Sequence, residues 1–199
     1  MHDPAQLIEN DLPSFDRTEG NATIYTRSGI VLDVFDYHAD FHNALLDDAQ
    51  GVSLERISTN LNTQSSATWH SAAQSAGFAT PGLPNSQQLP EEPGSGRIEV
   101  IPEVFSPDQD GTDDFVTIQF TDLLPGMLAS VRVFDATGRP VARIADNISL
   151  GQDAVIRWDG IDEHGQRARV GPYVLWIELY SAEGTVERFK RTCVLAERL

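Results

Sequence analysis

The stretch IRWDGIDEHGQRARVGPYVLWIELY, residues 156–180, contains the two aromatic residues that decide the fold prediction. Trp158 closes a strand-like run, and Tyr173 opens YVLWIELY, the longest strand-like run of this region. A stack of two β-sheets commonly buries one tryptophan and uses one tyrosine hydroxyl to hold nearby backbone. We therefore expect Trp158 in the core and Tyr173 in a tyrosine corner, and we assign both residues structural roles.

Strand-like runs separated by turn signals such as DQDG, ATGR and SAEG fill the second half of the chain. The seven runs are RIEVIP, DFVTIQFT, ASVRVFD, PVARIAD, DAVIRWD, YVLWIELY and TVERFKRTCVLA. This number of short strands in about 100 residues predicts a β-sandwich of immunoglobulin-like type. In the first half, NATIYT and IVLDVF flank the turn RSG and predict a hairpin over residues 21–35, and GVSLERIS, residues 51–58, predicts another strand.

The segment between the two halves is rich in Pro, Gly, Ser and Gln, a composition typical of a linker. We therefore divide the 199-residue chain into a partial β module at residues 1–86, a linker at 87–96 and a β-sandwich at 97–199. The predicted fold class is all-β, with two immunoglobulin-like β-sandwich modules of which the first is incomplete.

The charge balance excludes some classes of partner. Thirty acidic and fourteen basic residues give a net charge of −16. Such a surface repels phosphate backbones and anionic lipids, which disfavours nucleic-acid binding and membrane docking. Lys190 is the only lysine. An acidic, lysine-poor surface suits a halophile-like protein working in concentrated salt, and a GC-rich genome would favour arginine over lysine equally well.

Cysteine content and hydropathy limit which cellular compartments the sequence suits. Cys193 is the only cysteine, so no internal disulfide can form, and its apolar run TCVLA predicts a buried thiol. No segment reaches the roughly 20 apolar residues of a membrane span. The first residues lack the basic and apolar regions of a signal peptide, so the protein is either cytosolic or this chain lacks its true beginning.

Four motifs of the second half occur in a specific order: VFSPDQDGTDDF, VRVFDATGRPVARI, IRWDGIDEHGQRARVGPYVLWIELY and FKRTCVLAERL. With them, residues 98–199 resemble the immunoglobulin-like domain of flagellar hook-capping proteins and of the C-termini of many secreted Bacteroidota proteins. In that family the domain commonly ends cargo of the type IX secretion system or gliding-motility proteins, and some copies are the sorting signal. The resemblance implies a non-enzymatic export-sorting and anchoring region of a secreted or cell-surface protein, with secretion or surface-anchoring machinery as its partner.

The first half carries a second resemblance, in LDDAQGVSLERIS from Leu46 and TWHSAAQSAGFATPGLPNS at residues 68–86. These stretches are similar to the C-terminal part of a lamin-tail domain, another immunoglobulin-like sandwich of bacterial surface proteins. The opening strand of that domain is missing here, which predicts an exposed sheet edge. We therefore expect this chain to be the tail of a longer secreted protein whose signal peptide lies outside it.

Two alternative functions remain open at this point. An exposed strand edge would pair with a partner chain or with the missing segment, which makes the first module an interaction module and predicts that it self-associates. The chain would otherwise be an accessory domain of an enzyme whose catalytic part lies upstream.

The stretch FSPDQDGTDDF, residues 105–115, packs four aspartates into seven residues. Hard cations take oxygen ligands, and closely spaced aspartates supply them from one loop. The spacing is not that of an EF-hand, because glycine directly follows the second aspartate. The pattern D-x-D-G-x-x-D instead resembles the calcium repeats of thrombospondin-like proteins. The ligands that match this pattern are Asp108, Asp110, Thr112 through its carbonyl, and Asp114, with Asp113 left over.

The same loop has a purely structural interpretation. Asp108 and Asp110 would cap local amides in Asx-turns, while Gly111 takes a positive φ angle. Calcium binding and a simple turn both remain open from the sequence.

No enzyme is predicted. In DYHADFH, His38 and His42 are four residues apart, which would suit zinc on a helix, but no glutamate follows the first histidine as a zinc protease requires. We expect a solvated loop there. A G-x-S-x-G motif and a phosphate-binding glycine loop are both absent from the sequence.

Overall fold

The computed structural model describes residues 14–46, 48–89 and 96–197. Nearly all their regular structure is β, with three short 3₁₀ turns at Ala39–Phe41, Ser66–Thr68 and Gln74–Ala76, so the all-β class is confirmed. Among these residues, no helix has the length and apolar character needed to cross a membrane. The strands are β1 (Glu19–Tyr25), β2 (Val31–His38), β3 (Leu54–Arg56), β4 (Trp69–Ser71), β5 (Arg97–Ile101), β6 (Val104–Phe105), β7 (Val116–Thr121), β8 (Leu128–Asp135), β9 (Pro140–Ser149), β10 (Ala154–Trp158), β11 (Gly171–Tyr180) and β12 (Val186–Leu195).

The second half is a sandwich of two sheets. One sheet has the strand order β10-β7-β5, and the other has the order β6-β12-β11-β8-β9. All pairs are antiparallel except β12 with β6. Each of the seven predicted runs lies on one of these strands, so the predicted sandwich is confirmed.

Alternation along the strands builds the core of this sandwich. Successive residues of a strand point to opposite faces of its sheet, so every second residue of β11 faces the other sheet. Leu175 and Ile177 of β11 are fully buried and join one cluster with Ile118 of β7 and Val131 of β8. Burying a side chain of this size contributes about 1.5–3 kcal/mol. Burial of these alternate side chains therefore stabilises the sandwich.

Trp158 and Tyr173 occupy the predicted positions. Trp158 is 1% exposed, and its indole Nε1 donates a hydrogen bond to the carbonyl of Ile161 at 2.8 Å. The Tyr173 ring lies 4.9 Å from the Trp158 ring, and its hydroxyl donates to the carbonyl of Arg169 at 2.5 Å. The core tryptophan and the tyrosine corner are both confirmed.

The glycine of the W-D-G motif explains why the chain turns so tightly after Trp158. Gly160 has a φ angle of +77°, and a Cβ atom there would lie 2.7 Å from a Leu195 methyl group. Only glycine accommodates both the positive φ and the close approach of β12.

The first half forms two small antiparallel sheets, β1-β2 and β3-β4. The predicted hairpin is present and is longer than residues 21–35, since its strands extend from Glu19 to His38. The strand predicted at residues 51–58 covers only Leu54–Arg56. The two sheets pack together through Phe35 and Trp69, whose rings stack at 3.7 Å.

A polar seam joins the two halves of the chain, and Gln87 lies at its centre. The Gln87 side chain is 1% exposed. Its Nε2 donates to the carbonyl of Leu150 at 2.9 Å, and its Oε1 accepts from the amide of Gly126 at 2.8 Å. The Ser149 hydroxyl donates to the carbonyl of Ser71 at 3.1 Å. Gln87 belongs to the segment predicted as a linker, and the proposed domain boundaries stay a prediction.

Glu55 supports this seam from the first half. Its side chain is buried, at 4% exposure. The carboxylate accepts hydrogen bonds from the Ser86 hydroxyl at 2.6 Å, from the Gln87 amide at 3.1 Å and from the Thr80 hydroxyl. A buried charge is costly unless it is hydrogen-bonded, so these donors fix the backbone that presents Gln87 to the sandwich.

Candidate cation site

The aspartate loop, residues 105–115, connects β6 to β7. Gly111 has a φ angle of +90° with open space where a Cβ would lie, and Asp113 has a φ angle of +49°. Glycine adopts this region freely and aspartate tolerates it, so the sequence suits the tight path. The amide of Ser106 donates to the carbonyl of Asp113 at 2.8 Å and closes the loop at its base.

The aspartate carboxylates cap the amides of their own loop. Oδ1 of Asp108 accepts from the amide of Asp110 at 3.2 Å, and Oδ1 of Asp110 accepts from the amide of Thr112 at 2.8 Å. Asp114 reaches across the loop, since its Oδ1 accepts from Gln109 N at 2.6 Å and its Oδ2 from Gly111 N at 2.9 Å. The contacts of Asp108 and Asp110 are those of the Asx-turn interpretation.

The same geometry also gathers three carboxylates. One oxygen from each of Asp108, Asp110 and Asp114 lies within 4.8 Å of the others, the only His/Cys/Asp/Glu group of this kind in the described ranges. Calcium binds oxygens at 2.3–2.6 Å, so two ligands of one ion lie at most about 5 Å apart. The donor set therefore fits a hard cation. Thr112 lies within the loop with its amide bound to Asp110, and Asp113 is outside the carboxylate group.

Two further aspartates, outside the aspartate loop, cap backbone amides in turns. Asp135, at the β8–β9 turn, accepts from the Thr137 hydroxyl at 2.6 Å and from the Arg139 amide at 3.0 Å. These hydrogen bonds lower the pKa of Asp135 to about 2, and the bond from the Thr137 hydroxyl has the largest effect. Asp162 caps the turn before β11 in the same way, through the amides of Gln166 and His164, and its pKa is also lowered.

The two histidines of DYHADFH lie in different local environments. The expectation of a solvated loop is wrong for residues 36–38, because β2 continues to His38 and a 3₁₀ turn follows at Ala39–Phe41. The Asp40 amide donates to His38 Nδ1 at 3.2 Å, whereas His42 Nδ1 lies 3.0 Å from the Ser71 hydroxyl. The two imidazoles therefore do not share the helix face that a zinc site of this spacing would need.

Cys193 is buried, as its apolar run predicts. It is 2% exposed, and burial raises the pKa of its thiol to about 12. A thiol without an ionised form at neutral pH is a poor nucleophile. Cys193 is therefore a core residue of β12.

Sequence reasoning missed the buried polar residues Gln87 and Glu55. Glu55 lies in the predicted strand GVSLERIS, where an acidic side chain is expected on the exposed face, and Gln87 lies in a polar, turn-rich stretch whose composition does not separate a buried glutamine from an exposed one. Gln88, the next residue, is exposed. Only the contact with the second half of the chain distinguishes the two glutamines.

Residues 99–193 match the sequence model of the CHU_C type IX secretion signal domain. The matched segment begins within β5 and ends within β12. The C-terminal sandwich is therefore similar to type IX secretion signal domains of the CHU_C type, which confirms the resemblance to the C-terminal domains of type IX secreted proteins. The lamin-tail resemblance of the first half stays a prediction.

Two solved structures are similar to about half of the chain. Dimeric latent PorU from Porphyromonas gingivalis is 17% identical with a TM-score of 0.39, and the alignment covers 52% of this chain and 9% of that chain. CopC from Methylosinus trichosporium OB3b is 17% identical with a TM-score of 0.32, covering 50% of this chain and 92% of that chain. No curated protein matches this chain.

Proposed function

We propose that this chain is a non-enzymatic export-sorting and anchoring region of a secreted or cell-surface protein. The observation that carries the proposal is the match of residues 99–193 to a type IX secretion signal domain. A signal domain of this kind acts by being recognised, which supports a role without catalysis. The partner is then the secretion or surface-anchoring machinery, and the sandwich presents a folded surface to it.

The position of β12 decides how this proposal is tested. Because β12 lies between β6 and β11 in its sheet, deleting residues 187–199 would remove an interior strand and unfold the domain. Loss of export after that deletion would not separate recognition from folding. A fusion of the intact chain to a passenger avoids this difficulty.

The experiment fuses the whole chain to a periplasm-directed fluorescent reporter in a host with a type IX secretion system. We expect the reporter at the cell surface or in the medium in this host, and in the periplasm of the same host without the system. The matched control is the reporter without the chain. A reporter that stays in the periplasm of both hosts would overturn the proposal.

The aspartate loop adds a finer proposal, that calcium binds Asp108, Asp110 and Asp114, with the Thr112 carbonyl, once the protein leaves the cytosol. The closeness of the three carboxylates supports it, since their mutual repulsion is relieved by a cation. Binding only to the folded state would stabilise the domain by about 2.7 kcal/mol at a calcium concentration 100-fold above the dissociation constant.

Thermal unfolding in chelator and in millimolar calcium, at matched ionic strength, tests this site. We expect calcium to raise the melting temperature of the unaltered chain and of Asp113→Asn by several degrees. The melting temperature of Asp110→Asn should be the same in chelator and in calcium. Asparagine keeps an oxygen for the amide of Thr112 and tolerates positive φ, so both variants retain the turn. Equal melting temperatures in chelator and calcium would show that the aspartates only shape the loop.

A second candidate function is self-association through β1. The sheet β1-β2 has two strands, and no other described strand pairs with the outer edge of β1. The hairpin tip exposes the apolar residues Ile24, Tyr25, Ile30, Val31 and Leu32. An uncovered edge beside apolar side chains favours pairing with a second copy of this chain. Sedimentation velocity over a wide concentration range tests it, and a monomer throughout would contradict it.

A further inference from the structure

The outer face of the five-stranded sheet carries a row of basic and aromatic side chains. Trp176 of β11 is paired with Lys190 of β12 on one side and with Arg132 of β8 on the other. Arg132 is paired in turn with Arg143 of β9. Directly paired residues share a face, and this one is opposite to buried Leu175. The row therefore lies on the side of the sheet that faces away from the core.

This row is basic in a protein that is otherwise acidic. We define the basic face as Arg132, Arg143, Trp176, Arg188 and Lys190. Two acids pair with it, since Glu178 accepts from Arg188 at 2.9 Å and Asp146 accepts from Arg143 at 2.5 Å. Four bases and two acids give the face a net charge of +2, whereas the whole chain has −16.

The two cations beside Trp176 have no acid of their own. Arg132 and Lys190 are both exposed, and within residues 14–46, 48–89 and 96–197 neither side chain has an ion pair, a hydrogen bond or a ring contact. Cross-strand neighbours lie about 5 Å apart, so these charges stand on either side of a partly exposed indole. Tryptophan and arginine are the residues most enriched in interface hot spots.

The surrounding charge favours one orientation of an acidic partner. The rest of the surface repels negative charge, and at physiological ionic strength each charge acts over about 8–10 Å. An acidic patch is therefore attracted to the basic face and repelled elsewhere, which sets the orientation of docking. The four long strands of this sheet, β8, β9, β11 and β12, have eight to ten residues each. At a spacing of about 4.8 Å they present an area on the order of 500 Å², the size of a transient protein interface.

We propose that the basic face docks onto an acidic protein surface of the export machinery. This inference rests on the proposed export function and names the surface through which it acts. A flat face with a central tryptophan fits a protein surface better than a linear anionic polysaccharide, since chain-like and small ligands are usually held in grooves. Electrostatic attraction then sets the orientation of docking, and the docking is reversible.

Charge reversal at exposed positions tests the inference without changing any core side chain. The variant is Arg132→Glu with Lys190→Glu, in the whole chain fused to the reporter. The matched control is Arg27→Glu with Arg169→Glu, which changes the net charge equally at two exposed sites outside the face. Equal urea midpoints of the purified proteins establish that both variants are folded.

We expect the face variant to be exported roughly tenfold less than the unaltered chain, as loss of complementary charge lowers association, and the control to be exported normally. Normal export of the face variant overturns the inference while the proposed function stands. If the unaltered chain is not exported either, the proposed function itself fails.

A photo-crosslinking amino acid at Thr192, an exposed residue of the outer face, identifies the class of partner. We expect an adduct only in the host with the secretion system, and we expect protease to digest the attached partner. An adduct that resists protease and is cleaved by periodate would assign the face to a polysaccharide and overturn the inference.

Discussion

Replacing Gln87 with alanine would measure how strongly the two halves of the chain are joined. The Gln87 side chain is 1% exposed and bonds to Leu150, Gly126 and the Ser149 hydroxyl, all in the second half. Alanine removes these three contacts and leaves the backbone connection intact. The variant therefore weakens the seam alone.

The expected cost follows from what the substitution leaves behind. The amide of Gly126 and the carbonyl of Leu150 would lose a buried partner, and each unsatisfied polar group costs about 1–3 kcal/mol. Water entering the seam would offset part of this cost. We expect Gln87→Ala to lower the free energy of unfolding by about 2–4 kcal/mol, a large share of the 5–15 kcal/mol typical of a domain.

Urea unfolding of the whole chain is the assay, and Gln88→Ala is the matched control. Gln88 is the next residue and is exposed, so its replacement should change the free energy of unfolding by less than about 0.5 kcal/mol. If the two variants unfold at the same urea concentration, the seam contributes no stability and the reasoning is wrong.

Three further outcomes are expected. Tyr173→Phe removes the hydroxyl bond to Arg169 and should cost about 0.5–1.5 kcal/mol in urea unfolding, with Tyr180→Phe as a nearly neutral control. The pKa of Asp135 falls from 3.8 to about 2, so its stabilisation is present above pH 4 and is lost as pH falls towards 2, a loss that Asp135→Asn should not show. Cys193 should resist iodoacetamide at pH 8 in the folded chain and react in concentrated urea, and fast labelling of the folded protein would contradict its burial.

The strands of the second half could be predicted because their signals are local. Alternation along YVLWIELY reports one buried face, and turn residues mark where each strand ends. Trp158 and Tyr173 were predicted for the same reason, since each belongs to a motif of adjacent residues. The carboxylate group of Asp108, Asp110 and Asp114 is also local, because one short loop brings its members together.

Other elements depend on partners far along the chain. Val104–Phe105 of β6 pairs in parallel with Val194 and Leu195, and a strand of two residues has no period to reveal it. The strand predicted at residues 51–58 is short because only Leu54–Arg56 is paired in register with β4. Such pairings have no trace in the local sequence.

The sequence by itself determined the all-β class, the sandwich strands, the buried thiol of Cys193 and the aspartate loop, because each is written in neighbouring residues. Only the tertiary structure decided that Gln87 is buried while Gln88 is exposed, and that Arg132, Trp176 and Lys190 form one row. The physical reason is that hydrogen-bond partners and cross-strand neighbours are set by how distant strands pack, and that packing is specified by the whole chain at once.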